Sequence, residues 1–379
     1  MYTIDTTKGT MVGTVSAQWA QRPDDQRFLS LSHLESQTRQ WANESRAVET
    51  MPSEIHARAD GGNLLIDCVG AQVDPTAWSF DQISRLAHAP SDYLRQLPAG
   101  LAAACLNQGL ADYSSKPVAA YIRQNGTTSL RGITSTKYGR ILDTDVVSQV
   151  RQIAGDGTGD TRWKVPGVID WQKMAYNPRV DISKETTTLY ASDRDVFMFL
   201  VDDLNPIEVG KLRNGEPDLL FRGFYVWNSE VGGRTFGFAS MYLRGVCQNR
   251  NLWGVEDFRE MTIRHTRFAP ERFAKEAAPA ILEYSQAGTM KLIEGVKAAQ
   301  NQRVASTDEE RVEFLHKFGF SKRAAEDLIS VGLAEEGAPP ETAWDFAQAI
   351  TAKARSLQHQ DRRIAMESVG GRILDAVKV

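Results

Sequence analysis

Between Leu219 and Asn249 the chain reads LLFRGFYVWNSEVGGRTFGFASMYLRGVCQN, and this stretch limits the possible folds more than any other. On both sides of Asn228 to Gly233, aromatic and other apolar residues recur at a period of two, the spacing that sends successive side chains to opposite faces of a strand. The Asn-Ser-Glu-Val-Gly-Gly between them supplies turn residues, so two antiparallel neighbours are predicted. Phe236 and Phe238 share one face and are read as core. A further strand-like run, TTTLYASDRDVFMFLVDD, comes shortly before and extends the expected sheet.

Helical patterns flank that centre. Upstream, SFDQISRLAHAP and SDYLRQLPAGLAAACLNQGL read as helices separated by Pro90, with Ser79 and Ser91 as N-caps whose side-chain oxygens accept a first-turn N–H. Asn125-Gly126 marks a hairpin, and DTDVVSQVRQIAG reads as a short helix ending at Gly155. After Pro270 the pattern is helical almost to the end, with Thr307 and Glu310 forming a capping box. The expected class is α+β: a central antiparallel sheet with packed helices and a helical C-terminal region. The expected divisions are 1–112 (mixed α/β), 113–275 (basic and aromatic strands) and 276–379 (helical).

With 379 residues, 42% hydrophobic and 24% charged, the chain is long enough for two or three cores. No apolar run approaches the ~20 residues of a membrane span, and the first residues lack the pattern of a signal peptide, so a cytoplasmic protein is expected. Cys68, Cys105 and Cys247 are far apart, with no CxxC pair, and packed thiols are their default reading. No cofactor is expected.

The net charge of −4 hides an uneven distribution. From Tyr113 to Leu142 there are five cations, Lys116, Arg123, Arg131, Lys137 and Arg140, and no Asp or Glu. From Arg222 to Arg272 eight arginines and no lysine face five acids, interleaved with Phe224, Tyr225, Trp227, Tyr242 and Trp253. Bases stack on rings with little regard for sequence while guanidiniums track phosphates, so this pattern suits single-stranded nucleic acid. Its bland counterpart is a sheet core with a solvated edge. In IRHTRF, Arg264, His265 and Arg267 could surround a phosphate. A thiol enzyme built on Cys247 with His265 as base lacks any supporting signature. The pairs Asp202/Asp203 and Asp193/Asp195 give a metal-dependent nuclease no third ligand. GDGTGD fits neither a Walker loop nor a dinucleotide turn.

The segments GITSTKYGRILDTDVVSQV, LRGVCQNRN, IRHTRF and ETAWDFAQAITAKARS, in that order, resemble the phage/plasmid-like family known as domain of unknown function 932 (DUF932). The positions carrying the resemblance are Tyr138, Asp143, Val246, Cys247, Asn249, Arg264, His265 and Thr266, and the likeness runs from about residue 75 to 370. It implies a bacteriophage or plasmid protein, in a setting of DNA replication and recombination. At the level of fold alone, the order of elements is also similar to that of ring-forming single-strand annealing proteins of the ERF and Sak type.

The function expected from all this is binding of single-stranded nucleic acid, DNA before RNA, in annealing, recombination or strand protection, by a homo-oligomer. One groove wall would hold Arg131, Lys137, Tyr138 and Arg140, the other Arg244, Asn249, Arg250, Arg264, His265 and Arg267. The alternative is a protein-interaction factor of a mobile element, which presents its aromatic strands as an edge for pairing.

Overall fold

The computed structural model describes residues 22–111, 116–159, 161–165, 169–170, 175–176, 182–184, 187–211, 215, 217–244, 249–251, 260–288, 290–357 and 360–376. Along the first part run β1 (Arg27–Phe28), α1 (Leu31–Glu44), β2 (Ser45–Thr50), β3 (His56–Asp60), β4 (Asn63–Cys68) and β5 (Ala71–Pro75). Then come α2 (Ala77–Leu86), α3 (Ser91–Leu94), α4 (Ala99–Ala111), β6 (Val118–Asn125), β7 (Thr127–Ser135) and α5 (Asp143–Ala154). The middle is formed by β8 (Trp163–Lys164), β9 (Ile169–Asp170), β10 (Ala175–Tyr176), β11 (Leu189–Ala191), β12 (Val196–Asp202) and β13 (Ile207–Lys211). The long strands β14 (Pro217–Asn228) and β15 (Phe236–Arg244) follow, then β16 (Asn249–Asn251) and β17 (Glu260–Ile263). Helices complete the chain: α6 (Ala269–Arg272), a π-helical turn (Phe273–Ala277), α7 (Ala278–Gln286), α8 (Met290–Asn301), α9 (Asp308–Lys317), α10 (Lys322–Glu336), α11 (Ala343–Arg355) and α12 (Gln360–Asp375).

The fold is α+β. The hairpin predicted around Asn228 to Gly233 is present, β14 pairing antiparallel with β15 from Leu220↔Arg244 to Trp227↔Gly237. It is central to a nine-stranded sheet ordered β1-β11-β12-β14-β15-β16, with β8, β13 and β17 attached to β12, β14 and β15. Alternation separates the two faces. Met198, Leu200, Phe224, Val226, Phe236 and Phe238 pack with Leu34 of α1, Val147 of α5 and Ile281 of α7. Phe197, Phe199, Phe221, Tyr225 and Trp227 form a second cluster on the other face. Because both faces are covered, every residue of β12 is buried, as in sheets enclosed on two sides. The run TTTLYASDRDVFMFLVDD is not one strand: Ser192 and Asp195 exchange hydrogen bonds across a tight turn between β11 and β12. Ser and Asp side chains favour such turns by bonding nearby backbone N–H groups.

The second sheet is ordered β2-β6-β7-β5-β4-β3, with β5 and β7 parallel and the other pairs antiparallel. Asn125-Gly126 makes the β6–β7 turn as predicted, Gly126 having a φ of +82°. Strands β6 and β7, grouped by sequence with the later strands, thus share a sheet with β2 to β5 and a core with β3 to β5, α2 and α4. Similarly, α7 belongs to the core of the large sheet, whereas α8 to α12 build a third core on Ile207, Val209, Leu220 and Tyr242.

Helix starts follow ordinary capping, with two corrections. Thr76, not Ser79, caps α2; its side chain accepts from Ser79 N, while Ser79 is buried in the first turn. Pro90 precedes α3 as its cap residue, which places Ser91 inside the helix. The box of Thr307 and Glu310 at α9 is formed by both side chains.

Candidate nucleic-acid interface

The two motifs assigned to opposite groove walls meet directly. Gly139 N donates to the His265 carbonyl at 3.2 Å, and His265 Nδ1 lies 3.0 Å from the Gly139 carbonyl. A carbonyl oxygen only accepts, so the proton sits on Nδ1. The Tyr138 ring stacks on His265, with centroids 4.7 Å apart and planes 17° from parallel. The backbones approach so closely that a Cβ on Gly139 would lie 1.9 Å from the Thr266 carbonyl oxygen, which is why glycine stands there. Burial lowers the His265 pKa, with a smaller push from the neighbouring Arg140 charge, and the Gly139 hydrogen bond opposes both. The ring is therefore neutral near pH 7 and offers a phosphate no charge.

Under this contact lies a charged junction between the two sheets, centred on the β14–β15 turn. Arg131 on β7 is 1% exposed, sits over the Tyr121 ring, and donates to Glu230 at 2.7 Å. Burial disfavours its charge, but Glu230 and Asp193 more than compensate and hold its pKa up. The second Glu230 oxygen accepts from Asp143 N at 2.8 Å, and Arg140 donates to the Glu230 carbonyl. Burial, reinforced by Glu230, raises the Asp143 pKa, and Asn228 donates to its carboxyl at 2.7 Å. Tyr138 donates to the Ser229 carbonyl at 2.8 Å and accepts from Gly232 N at 3.1 Å. From the second sheet, Arg123 reaches Asp193 at 2.7 Å, and from α2 the Trp78 indole N–H donates to the Val231 carbonyl at 2.8 Å. Arg22 and Arg234 flank Asp195; burial acts against its ionisation, yet the guanidiniums around it bring its pKa down to about 2.

Arg131 is thus a structural cation in this fold, and Arg140, half-buried, is turned to the same turn. Arg244 is likewise internal. It grips the Asp218 carboxylate through Nε and NH2, both at 2.8 Å, and reaches Glu336 at 2.6 Å, which ties β15 to α10. These three arginines do not form the predicted walls, because each is bonded to protein acceptors in place of solvent. Asn249 and Arg250 lie on β16 opposite Arg244 and Leu243; their side chains fall outside what is described. Cys247 is outside the described residues, so its pairing with His265 has no structural counterpart here. Lys137, Arg264 and Arg267 are exposed.

Beside the junction opens a groove of about 770 Å³. One side is α2 and the residues after it, with Gln82, Arg85, Leu86 and His88; the other is Lys116 to Val118 and Ile133 to Lys137, and Gly232 closes one end. Arg85, Lys116 and Lys137 are exposed, and none of the lining residues is an acid. The nearest carboxylate on α2, Asp81, is engaged at 2.5 Å by Arg95. Gln82 shapes the floor by accepting from Ile133 N and donating to the Val231 carbonyl, both at 2.8 Å. Gly232 bonds to Tyr138, so the groove leads to the Tyr138–His265 stack.

Arg85 was missed from sequence. Its signal is the spacing: three residues after Gln82, it shares a helix face that stays out of the apolar stripe of Phe80 and Ile83. Of the carboxylate pairs weighed for metal binding, Asp202 is held by Arg162 and Asn205, and Asp203 by Lys164. Among the described residues, no three His, Cys, Asp or Glu side chains come together as a metal site. Among the same residues, no helix is long and apolar enough to cross a membrane.

No protein-family model, curated protein or solved structure matches this chain.

Proposed function

We propose that the protein binds single-stranded nucleic acid along the groove between α2 and the β7 end, as a bacteriophage or plasmid protein acting in DNA annealing, recombination or strand protection. The observation that carries this reading is the groove itself, in which Arg85, Lys116 and Lys137 face solvent with no acid among the lining residues. Phosphates would lie along these cations. The volume also falls in the range of about 300–1,000 Å³ common for small-ligand pockets, so a free nucleotide is the competing occupant. An open groove continuing toward a stacked aromatic pair and two exposed arginines favours a strand over a single nucleotide. The mobile-element assignment rests on the motif resemblance alone.

The test is fluorescence anisotropy with a labelled oligonucleotide at several salt concentrations. Three phosphate contacts correspond to a log–log salt slope of roughly −2, since a single strand releases about 0.7 counterion per contact. In the folded variant Lys116→Ala/Lys137→Ala the slope should shrink to roughly −0.7 and the affinity should fall. Unaltered binding and slope in that variant would move the strand elsewhere. Binding of a mononucleotide as tight as that of the oligonucleotide would replace the strand by a nucleotide.

A further inference from the structure

Two surface features far apart in sequence match each other. After β17, Phe268 is 54% exposed, the most exposed phenylalanine among the described residues. Arg264 and Arg267 beside it are also exposed, and the Arg267 guanidinium lies 4.9 Å from the Phe268 ring centroid. The second feature is a groove of about 630 Å³ between α9 and α10. Its apolar lining is Val312 and Ile329, half-buried side chains that pack against the helical core. Four carboxylates line it as well, Asp308, Glu309, Glu313 and Glu326, while His316 and Lys322 lie at the end near the helix turn. Asp308 is paired with Arg311 at 2.7 Å and Glu313 faces Lys317 at 3.7 Å. Glu309 and Glu326 have no ion pair among the described residues.

The geometry points to a head-to-tail contact between copies of this chain, in which Phe268 of one copy seats on Val312 and Ile329 of the next. Arg264 and Arg267 then face Glu309, Glu313 and Glu326. The argument is complementarity of shape class and charge: an aromatic knob preceded by two exposed arginines meets a groove whose lining holds two apolar residues and four acids. Both partners are present on every copy and they are different patches. The contact is therefore heterologous, and it extends into a filament or closes into a ring, depending on the rotation between copies. It uses neither Arg85, Lys116 nor Lys137 but shares Arg264 and Arg267 with the far end of the proposed strand path, so it is tested without nucleic acid.

Sedimentation of the full chain without nucleic acid, across a concentration series, tests the contact. The mass should rise above 42.1 kDa with concentration, and less so at high salt. Phe268→Ala should weaken association. Arg264→Glu/Arg267→Glu and, separately, Glu309→Lys/Glu313→Lys/Glu326→Lys should each weaken it by about tenfold or more, as expected when complementary charges are made alike. An equal mixture of the two charge-reversed variants should associate again, because each then carries the complement of the other. Lys116→Ala/Lys137→Ala should assemble like the parent, which separates this contact from the groove. A mass of 42.1 kDa at every concentration overturns the proposal, as do charge-reversed variants that assemble normally or a mixture as weak as its components. Parent chains that stay at that mass while the α9–α10 groove captures a basic aromatic peptide would assign it to another protein.

Discussion

Arg131 and Lys137 belong to the same acid-free stretch, yet the junction between the sheets and the groove beside it treat them in opposite ways. In the junction, Arg131 is enclosed with Glu230, Asp193 and the face of Tyr121, and all its surroundings are protein. In the groove, Lys137 stands in water beside Lys116 and Arg85. A buried cation needs fixed acids, and the junction gathers them from distant segments: Asp193 from the β11–β12 turn, Glu230 from the β14–β15 turn. The acid-free character of 113–142 is real in sequence and only partly so in space. What distinguishes a binding cation from a structural one is the origin of its counter-charge, and that lies outside the local stretch.

The largest effect that can break this contrast is removal of Glu230. Glu230→Ala leaves Arg131 buried beside Asp193 alone and strips the Asp143 N–H of its acceptor. Losing one partner of a buried pair costs about 3–5 kcal/mol, so urea denaturation should show a loss of that order. Lys137→Ala in the same assay should stay within about 0.5 kcal/mol, as for exposed positions. Equal losses in the two variants would erase the distinction between junction and groove.

Gly139→Ala is next. Its new methyl group would meet the Thr266 carbonyl, a backbone atom that cannot swing aside, so the Tyr138–Arg140 and Arg264–Thr266 segments must separate. Overpacking of this kind costs about 1–3 kcal/mol. The melting temperature should fall. A variant as stable as the parent would mean that the two motifs do not meet as described.

The smallest effect is a pH dependence. The pKa of His265 is lowered in the folded chain, so below the ordinary histidine value near 6.5 the unfolded chain binds a proton that the folded ring resists. Stability should decline as pH falls through that region, and His265→Gln should flatten the decline. An identical pH profile in that variant would remove His265 from the buried contact.

The large hairpin was legible because alternation over Leu219 to Leu243 and a turn at Asn228 to Gly233 are both local signals. The same holds for the Asn125-Gly126 turn and the Thr307 capping box. What escaped was long-range. The parallel pairing of β5 with β7 joins Asp74 to Ser129, and no pattern within either strand announces its partner. Arg244 reads as an exposed strand-end cation until Asp218 and Glu336 are seen to enclose it. Arg85 was hidden because one solvated arginine on a helix is common, and only Lys116 before β6 and Lys137 after β7, opposite it, give it a role. Arg131, Arg140 and Arg244 were thus misjudged for one physical reason: burial of charge is decided by partners, and partners here come from other elements.

The pairing of β1 with β11 has a consequence for synthesis. Arg27 lies opposite Tyr190, and Phe28 opposite Leu189. At about 5–20 residues per second, the ribosome needs roughly 8–30 s after making β1 before its neighbour exists. Through that interval Leu31 and Leu34, both fully buried in the finished protein, have no large sheet to cover them. β2 can dock much sooner, once β6 emerges with its partner positions from Val118 to Arg123. The six-stranded sheet can thus form on the nascent chain while the segment before it waits, exposed to chaperones and proteases, for the second half of the message to be read.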